Sequence, residues 1–446
     1  MRKNRESDEN ASTFENELIQ FAHTLYPICR SLTGNGVRKT LGLIKQILPE
    51  LEVHEVPSGT VAFDWTIPDE WNIRTAYIED PSGRRIVDFA QHNLHVVGYS
   101  IPVQMTIDLQ ELQLHLHSLP EKPDVIPYVT SYYKRNWGFC LPHRLRETLT
   151  AGQYKVVIDA DLEPGSLTYG DLVIPGKSNN EILFSTYICH PSMANNELSG
   201  PVIATFLAEW ISKIDRNYTY RFVFVPETIG TIYYLSKFLH HLKQHVRAGY
   251  VLTCCGDEGD FSYMPSRTGQ TYADKVARRV LSKNAPNFIE YSFLQRGSDE
   301  RQYCSPLVDL PVASIMRSKY HEYPEYHTSA DDLNFVTANG LRTSLDLYKE
   351  LVRTLEHYRP LSSAIVGEPQ LGRRGLYPVT GGQIDQKSVA TILDLFAYAD
   401  GTNDVVDIAN ATGHDLSTLE TLSETLITRG LLTTDFSLDK LHLMND

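Results

Sequence analysis

The sequence contains little cysteine. Only six cysteines occur in 446 residues, and no two of them form a CxxC pair. Disulfide frameworks and cysteine-based zinc sites need clustered thiols, so reduced thiols and a cytoplasmic location are the simplest interpretation. The cysteines are Cys29, Cys140, Cys189, Cys254, Cys255 and Cys304.

Long apolar runs and an excess of basic residues are missing as well. The sequence has no stretch of about 18 apolar residues, which predicts no membrane span. Residues 1–18 have no apolar segment after their bases, which argues against a signal peptide. Lys and Arg number 41 against 55 Asp and Glu, a net charge of −14. An acidic chain repels phosphate backbones, so nucleic acid is not expected as a partner.

The composition that remains is that of a folded protein. Hydrophobic residues make up 42% and charged residues 22%, which excludes wholesale disorder. Because single hydrophobic cores stop growing at about 250–300 residues, a chain of 446 residues is expected to form two or three domains.

The hydrophobic pattern predicts an α/β domain formed by residues 13–54 and 159–362. Helical spacing occupies its first part, and short apolar runs alternate with helical segments in its second part. This alternation is typical of a sheet covered by helices on both faces. The apolar runs are Ile182–Tyr187, Tyr220–Val225, Gly249–Cys254 and Val312–Met316.

Two further domains are predicted. Residues 55–158 carry short alternating stretches separated by Pro and Gly, which indicates an inserted, small β-rich domain. These stretches include Thr60–Thr66, Leu94–Ile101 and Leu112–Leu116. Residues 366–446 carry three short helical patterns and then Leu431–Leu438, the outline of a winged helix-turn-helix.

The C-terminal domain has the wrong charge for a DNA reader. From Ile365 to Asp446, five bases stand against twelve acids, a net charge of −7, with no basic face. We therefore expect this domain to contact protein, as a homo-oligomer contact or another protein interface.

Histidines and carboxylates follow the predicted strands. His190, Glu227, Asp257 and His327 each come soon after one of the four apolar runs. Strand ends of an α/β sheet meet at one edge, where ligands usually bind, and imidazole with carboxylate suits a catalytic zinc. Taken singly, each has a simpler interpretation: a hydrogen-bonded loop histidine, a carboxylate at a helix start, or a solvated acidic turn.

Four motifs stand at or near the predicted strand ends. They are Tyr326-His327-Thr328 with Asp331-Asp332, Gly297-Ser298-Asp299, Ala194 to Gly200, and Pro226 to Gly230. In that order they resemble the C-terminal ligand motif, the Ser-Asp segment, the Ala-Asp-Asp-Asn-x-Ser-Gly turn and the Glu-Glu-x-Gly turn of the co-catalytic zinc aminopeptidases of the bacterial leucyl type.

A more specific similarity covers nearly the whole chain. It rests on Leu25 to Ser31, Asp64 to Ile73, Cys189 to Ser192, Ser298 to Tyr303 and Gln370 to Pro378. With these motifs the sequence resembles a bacterial family of uncharacterised aminopeptidase-like proteins, whose genes often lie beside polysaccharide-biosynthesis genes. The resemblance implies a peptidase-like α/β domain, a small inserted domain and a C-terminal winged helix, without a known substrate.

The chain departs from the aminopeptidase pattern at the metal ligands. Where that pattern has carboxylate ligands, this chain has Asn195 and Asn196, Thr228, and about Thr253. The resemblance therefore implies one zinc ion instead of two. The predicted ligands are His190, Glu197 and His327, with Asn196 or Asp257 as alternatives to Glu197.

The resemblance also implies the reaction. Glu227 stands at the catalytic-base position, so we expect a metal-activated water to cleave an amide bond in a small peptide, an amino-acid amide or an N-acylated amino sugar. A non-catalytic binding or scaffold protein on a degenerate peptidase fold is the alternative.

The surrounding motifs supply candidates for substrate binding. An acidic pocket could hold a substrate amino group, while Arg301 could hold a carboxylate in bidentate fashion or form a structural ion pair. Asp331 is predicted to bond the free nitrogen of His327 or to shape the loop. The substrate-binding candidates are Asp299, Glu300, Arg301, Tyr323 and Tyr326.

Overall fold

The fold is described from a computed structural model. It describes residues 15–132, 134–374, 376 and 386–434, and side chains within the last range from residue 389 onward. Predictions for residues 13–14 and 435–446, including the end of the Leu431–Leu438 stretch, lie outside the described residues. No helix in the described part of the chain is both long enough and apolar enough to cross a membrane.

The chain begins with two helices and an edge strand. Helix α1 (15–25) and helix α2 (Asn35–Ile47) precede strand β1 (Glu52–Pro57). The apolar side of α2 is buried through Val37, Leu41 and Ile44, which are spaced by about one helical turn.

A small antiparallel sheet follows. Its four strands lie in the order β5-β4-β9-β6 and cover a core that contains Trp71 and Trp137. Two short strand pairs, β2–β3 and β7–β8, accompany it. The elements are β2 (Val61–Ala62), β3 (Trp65–Thr66), β4 (Glu70–Glu79), β5 (Arg85–Asp88), β6 (Val103–Asp108), α3 (Leu109–Leu112), β7 (Leu116–His117), β8 (Phe139–Cys140), α4 (His143–Glu147) and β9 (Gln153–Glu163).

Two of the three alternating stretches of this region are not strands. The stretch Leu94–Ile101 begins in a 3₁₀ turn (Asn93–His95) and makes only isolated bridges, at Val96 and Gly98. Residues 112–116 were expected to alternate as a strand, but they contain the end of α3, a 3₁₀ turn and only the first residue of β7. The cause is local, because the Asp108 carboxylate accepts a hydrogen bond from the Glu111 N–H at 2.9 Å and so caps a helix start.

The main sheet has eight strands in the order β1-β10-β12-β11-β13-β16-β14-β15. The central strands β12, β11, β13 and β16 are parallel, whereas β1, β10 and β14 pair antiparallel with their neighbours toward the centre of the sheet. The remaining elements of this part are β10 (Ser166–Ile174), β11 (Glu181–Tyr187), α5 (Ser199–Ser212), β12 (Thr219–Val225), α6 (Ile229–His245), β13 (Val246–Val251), β14 (Ser262–Met264), α7 (Tyr272–Asn284), β15 (Ile289–Glu290), α8 (Glu300–Tyr303), β16 (Val312–Met316) and α9 (Ala338–His357).

Helices cover both faces of this sheet, which confirms the predicted architecture. All seven residues of β11 are buried, and alternate side chains enter different cores. Ile182 and Phe184 pack with residues of α2, α5, α7 and α9, while Leu183 packs with residues of α6. A strand buried on both faces reads as a continuous apolar run, which is why the sequence identified it.

The C-terminal part is a three-helix unit with a short antiparallel strand pair. Its elements are β17 (Ser362–Ser363), α10 (Gln386–Tyr398), α11 (Val405–Thr412), α12 (Leu416–Thr428) and β18 (Leu432–Thr433). Its own apolar core includes Leu395, Ile408 and Leu426. It contacts α7 through a bidentate pair in which Arg279 donates to Asp404 at 2.9 and 3.2 Å.

Candidate metallohydrolase site

The predicted site residues follow the carboxyl ends of the parallel strands. His190 comes after β11, Glu227 after β12 and His327 after β16. Because these strands are parallel, their ends lie at one edge of the sheet. The structure brings the three residues together: the His190 and His327 rings are 5.8 Å apart, and His190 Nε2 is 3.6 Å from Glu227 Oε2.

A buried carboxylate holds the His190 ring. His190 Nδ1 lies 2.8 Å from Glu197 Oε2, and Glu197 Oε1 lies 3.3 Å from Arg30 Nε. Arg30 Nε also donates to the His190 carbonyl at 2.9 Å. The Arg30 and Glu197 side chains are 0% exposed. The guanidinium, the carboxylate and the imidazole therefore form a series, joined by an ion pair and a hydrogen bond, that is shielded from solvent.

A short π-helix places Glu197. Residues Ala194–Leu198 form one π turn before α5, and all five are buried. Single π turns are frequent at functional sites because they displace a side chain from the regular helical position. This turn directs the Glu197 carboxylate toward His190.

Glu227 precedes a strained turn. Thr228 has φ 65° and ψ −74°, and Ile229 N–H donates to the Glu227 carbonyl at 2.8 Å. These are the features of a classic γ-turn, which is rare and strained, above all for a β-branched residue. The turn ends β12 abruptly and starts α6, so that Glu227 stands at the sheet edge.

Burial raises the pKa of Glu227 above its usual range, although the nearby His190 and Arg301 oppose this shift. Burial, with Glu227 as a second cause, raises the pKa of Asp299 to about 7. Asp299 lies beneath the strained turn and accepts a hydrogen bond from Thr228 N–H at 2.8 Å. Two carboxyl groups with raised pKa values in one site are a common feature of acid–base machinery.

His327 is held by stacking and by the inserted region. Its ring stacks on Tyr326 at 3.8 Å, and its carbonyl accepts a hydrogen bond from Tyr128 N–H at 2.9 Å. Its Nε2 atom is buried and has no hydrogen-bond partner among the described residues. Burial, together with His190 and His321, lowers the pKa of His327 to about 2, so the ring is neutral.

Asp331 shapes the loop, which is one of its two predicted roles. Its carboxylate accepts hydrogen bonds from the backbone N–H groups of Asn195 and Asn196 at 2.6 and 3.0 Å, and from Tyr323 OH at 3.0 Å. It thereby joins the His327 loop to the π turn that carries Glu197.

The alternative ligands Asp257 and Asn196 make internal hydrogen bonds, but Asn196 Oδ1, the atom that could bind a cation, is buried without a partner among the described residues. Asp257 accepts from Asn195 Nδ2 and Ser318 Oγ, each at 2.8 Å. Asn196 Nδ2 donates to Tyr187 OH at 2.8 Å, and this hydroxyl lies 2.6 Å from Thr253 Oγ1. Three positions where the aminopeptidase pattern has ligands thus serve internal hydrogen bonds.

A cavity of ≈ 430 Å³ opens on this edge of the sheet. Of the five predicted substrate-binding residues, only Arg301 lines it; Asp299, Glu300, Tyr323 and Tyr326 do not. The described lining residues are Leu32, Trp65, Thr66, Pro68, Tyr132, Cys189, His190, Glu227, Thr228, Ile229, Arg301 and Gln302.

Sequence reasoning missed Arg30 as a part of the site. It lies far from the strand ends in sequence, and its only signal was its place in the Leu25 to Ser31 motif. Tyr128 belongs to an aromatic stretch of residues 128–133 that sequence reasoning interpreted as core packing or as a wall of the substrate cleft. It lies against both histidines, with ring centroids 5.3 Å from His190 and 5.0 Å from His327.

Two places in the described part of the chain offer ligand atoms for a metal ion, but only the second brings three of them within 4.8 Å of one another. His190 Nε2 faces away from Glu197, and His327 Nε2 is a buried acceptor without a partner in the described part of the chain, as a ligating imidazole would be. Ligand atoms of Cys189, His190 and Glu197 also lie within 4.8 Å of one another. The second place is next to the Arg30 guanidinium, which would repel a cation.

These features define an aminopeptidase-like α/β fold. Comparisons agree: the zinc aminopeptidase BSAP from Bacillus subtilis superposes with a TM-score of 0.55, at 14% identity, over 77% of this chain and 94% of that one. At this identity the similarity shows the fold alone.

Residues 19–358 match a family described as a domain of unknown function, DUF4910, and residues 359–434 match a winged helix-turn-helix family. The chain therefore belongs to the DUF4910 family and ends in a winged helix-turn-helix, as predicted. A Clostridium acetobutylicum protein named "Putative polysaccharide biosynthesis protein with aminopeptidase-like domain" is 44% identical over 94% of this chain and 96% of its own length. A crystal structure of a "putative peptidase" from the same organism has a TM-score of 0.81 at 42% identity, and covers 97% of this chain and 99% of that one.

Proposed function

We propose that the protein is a metal-dependent hydrolase that cleaves an amide bond with Glu227 as general base. The observation that carries the proposal is the partly buried Glu227 carboxylate, which lines the cavity 3.6 Å from His190 Nε2 and has a raised pKa. A general base works best when its pKa approaches the working pH, and burial shifts Glu227 in that direction.

His190 and His327 would hold a single zinc ion through their Nε2 atoms. When bound there, zinc supplies a Lewis acid that polarises the scissile carbonyl and acidifies a water molecule. Glu197 was predicted as a third ligand, but its bonds to His190 and Arg30 support a positioning role behind the ring. Carboxylates in that position fix the tautomer of a ligating histidine and strengthen metal binding.

The side chains then carry the proton. Glu227 takes a proton from the attacking water, the water oxygen joins the acyl carbon, and the carbon–nitrogen bond breaks. The same proton passes from Glu227 to the leaving nitrogen, which departs as an amine. Tyr128 and Tyr132 of the inserted region cover the histidines and the cavity, so they exclude bulk water.

The candidate substrates are small peptides, amino-acid amides and N-acylated amino sugars. The cavity volume of ≈ 430 Å³ suits a small molecule. The name of the Clostridium acetobutylicum relative refers to polysaccharide biosynthesis, which favours testing N-acylated amino sugars early.

The test combines metal analysis with one substitution. We expect about one zinc ion per purified chain, and a fall in thermal stability on chelation. Glu227→Gln should keep the zinc and lose roughly 10²–10⁴-fold in hydrolysis across a panel of the three substrate classes. Glu322→Gln, which removes an exposed carboxylate of the His327 loop, is the matched control and should match wild type. Absence of zinc, with stability unchanged by chelator, would contradict the proposal.

A non-catalytic scaffold is the second candidate. It is favoured by the internal hydrogen bonds of Asn196 and Thr253 at positions where the aminopeptidase pattern has ligands. The Glu227→Gln comparison separates the two candidates, since a scaffold predicts no hydrolysis by either protein.

A further inference from the structure

Arg301 is the one guanidinium among the described residues of the cavity wall. Its Nε donates to the Ser298 carbonyl at 3.0 Å and its Nη2 donates to Thr228 Oγ1 at 3.1 Å. These two bonds fix the planar group beside the turn that carries Glu227. Because a guanidinium has five N–H donors, three remain without a partner among the described residues.

No carboxylate of the described chain forms an ion pair with Arg301. Its two hydrogen bonds go to a carbonyl and a hydroxyl, so its charge is not neutralised by direct contact. The structural ion pair that the sequence left open is thus not found. A partly buried cation that lines a cavity without a carboxylate in direct contact can receive an anionic ligand, even though the nearby Glu227 and Asp299 carboxyl groups interact with its charge.

The carboxylates expected to hold a substrate amino group are withdrawn from the cavity. Asp299 is 0% exposed and accepts from Thr228 N–H. Glu300 is also 0% exposed, and its Oε1 accepts from the N–H groups of Gly297 and Ser298 and from Tyr320 OH at 2.8, 3.0 and 2.6 Å. Glu227 is the sole carboxylate on the described lining, and the proposed reaction uses it as the base.

We propose that the substrate of this site carries a carboxylate close to the scissile amide, and that Arg301 binds it. The inference rests on the proposed hydrolase and narrows its substrates to carboxylate-bearing amides, such as N-acyl amino acids, instead of substrates held by a free amino group. Thr228 Oγ1 joins Arg301 directly to the residue after the base. In an N-acyl amino acid the carboxylate is separated from the amide nitrogen by a single carbon, which matches this short spacing.

The rest of the wall suits an apolar group. Leu32, Trp65, Tyr132 and Ile229 line the same cavity and offer aromatic and aliphatic surface. N-acetyl-L-phenylalanine combines an apolar side chain, an amide and a carboxylate, so it is the probe of choice.

Binding is measured by calorimetry on the full-length Glu227→Gln protein, which prevents turnover. The probes are N-acetyl-L-phenylalanine, its carboxamide N-acetyl-L-phenylalaninamide, and L-phenylalaninamide. We expect the carboxylate to bind at least about tenfold more tightly than either amide, as one charge-assisted bidentate contact allows. Equal affinity for the carboxylate and its carboxamide, or tighter binding of L-phenylalaninamide, would overturn the inference.

A second substitution assigns the preference to Arg301. In the same background, Arg301→Gln should reduce the acid-to-amide ratio to about one, whereas Arg301→Lys should keep part of it because the charge remains. Arg296→Gln, an exposed arginine outside the cavity, is the matched control and should keep the full ratio. Retention of the ratio in a folded Arg301→Gln protein would also overturn the inference.

Turnover by the wild type separates this inference from the proposed function. If Glu227-dependent hydrolysis occurred with L-phenylalaninamide but not with N-acetyl-L-phenylalanine, the proposed hydrolase would be supported. The proposed binding of a substrate carboxylate by Arg301 would be refuted. An Arg301-dependent carboxylate preference without hydrolysis of any panel substrate would instead refute the hydrolase.

Discussion

Arg30 sets the position of His190 from a distance of 160 residues in sequence. Its Nε contacts both the His190 carbonyl and Glu197, and its side chain is fully buried. A buried charge is tolerated only when it is paired and hydrogen-bonded. The position of the His190 ring therefore depends on Glu197, which the sequence analysis predicted as a metal ligand.

The first prediction concerns that pair. Glu197→Gln should lower the free energy of unfolding of the metal-free protein by about 3–5 kcal/mol, because it leaves the Arg30 guanidinium buried without a counter-charge. Urea denaturation measures this value. The double substitution Arg30→Met with Glu197→Gln should recover a large part of the loss, since no unpaired charge remains. Additive losses in the double variant would show that the two residues do not act as a pair.

The second prediction concerns Asp299 and pH. Its folded-state pKa of about 7 lies above the ordinary value of 3.8, so the folded chain holds a proton that the unfolded chain has released between these values. Stability should therefore fall as pH rises from about 4 to about 7, by on the order of 3–4 kcal/mol, and then level off.

Asp299→Asn tests this sign. The amide keeps an acceptor for Thr228 N–H but cannot ionise, so the fall in its unfolding free energy should be smaller by the share that Asp299 contributes. Asp331, whose pKa burial raises to about 6, contributes to the fall in both proteins. Urea denaturation of metal-free protein across this pH range gives both curves. Asp260→Asn, an exposed control, should follow the wild type. Parallel curves for wild type and Asp299→Asn would contradict the prediction.

At the scale of elements, the central strands were predictable and their connections were not. The four apolar runs correspond to strands buried on both faces, where residue type and burial agree. Glu227 and His327 were predicted as site residues from their place after such runs. The γ-turn at Thr228 was not predictable, because tertiary contacts with Asp299 and Arg301 hold a conformation that threonine disfavours.

The third prediction concerns the packing of α5 against β11 and against Leu252, the residue that follows β13. A Cβ atom at Gly200 would lie 2.3 Å from the Leu252 carbonyl oxygen and 2.5 Å from Thr186 Oγ1. Gly200→Ala should therefore destabilise the protein by about 2–3 kcal/mol, because the helix must move away from the strand. Thermal or urea unfolding measures the change.

Gly42→Ala is the matched control. Gly42 is exposed within α2, and a Cβ atom there would have no neighbour within 4 Å. Alanine should stabilise this helix by about 0.5–1 kcal/mol. If both substitutions changed the free energy of unfolding in the same direction, the close approach of α5 to the sheet would not explain the glycine at position 200.

At the scale of the whole molecule, we predict that the winged helix-turn-helix does not read DNA, although its motif alone would suggest DNA binding. Its second motif helix, α12, contains no Arg, Lys, Asn or Gln, the residues that make most bidentate base contacts, and it carries Glu420 and Glu424. The fourth prediction is that the full chain shows no salt-sensitive binding to duplex DNA, measured by fluorescence anisotropy in about 50–200 mM salt. Tight DNA binding that weakens steeply with salt would contradict this prediction. It would also contradict the expectation that the C-terminal domain contacts protein.

An acidic residue of this unit instead forms an ion pair with the α/β domain. Asp404 is fully buried, caps α11 and receives two hydrogen bonds from Arg279. The neighbouring Arg278 pairs with Glu290, but both of those side chains remain more than a third exposed. One of the two adjacent arginines thus pairs with a fully buried carboxylate of the other unit, while its neighbour forms a surface pair within its own unit.

The fifth prediction follows from this contrast. Arg279→Met should destabilise the docked C-terminal unit by about 3 kcal/mol, because it leaves the Asp404 carboxylate buried without its partner, whereas Arg278→Met should cost less than about 1 kcal/mol. All four tryptophans lie outside the C-terminal unit, so their fluorescence reports on the domains that precede this unit in the chain. Circular dichroism reports on every helix.

In wild type and Arg278→Met the fluorescence and circular dichroism signals should change at the same urea concentration. In Arg279→Met the circular dichroism signal should begin to change first, as the C-terminal unit unfolds alone. Coincident transitions at the wild-type midpoint would mean that the Arg279–Asp404 pair does not hold the two units together.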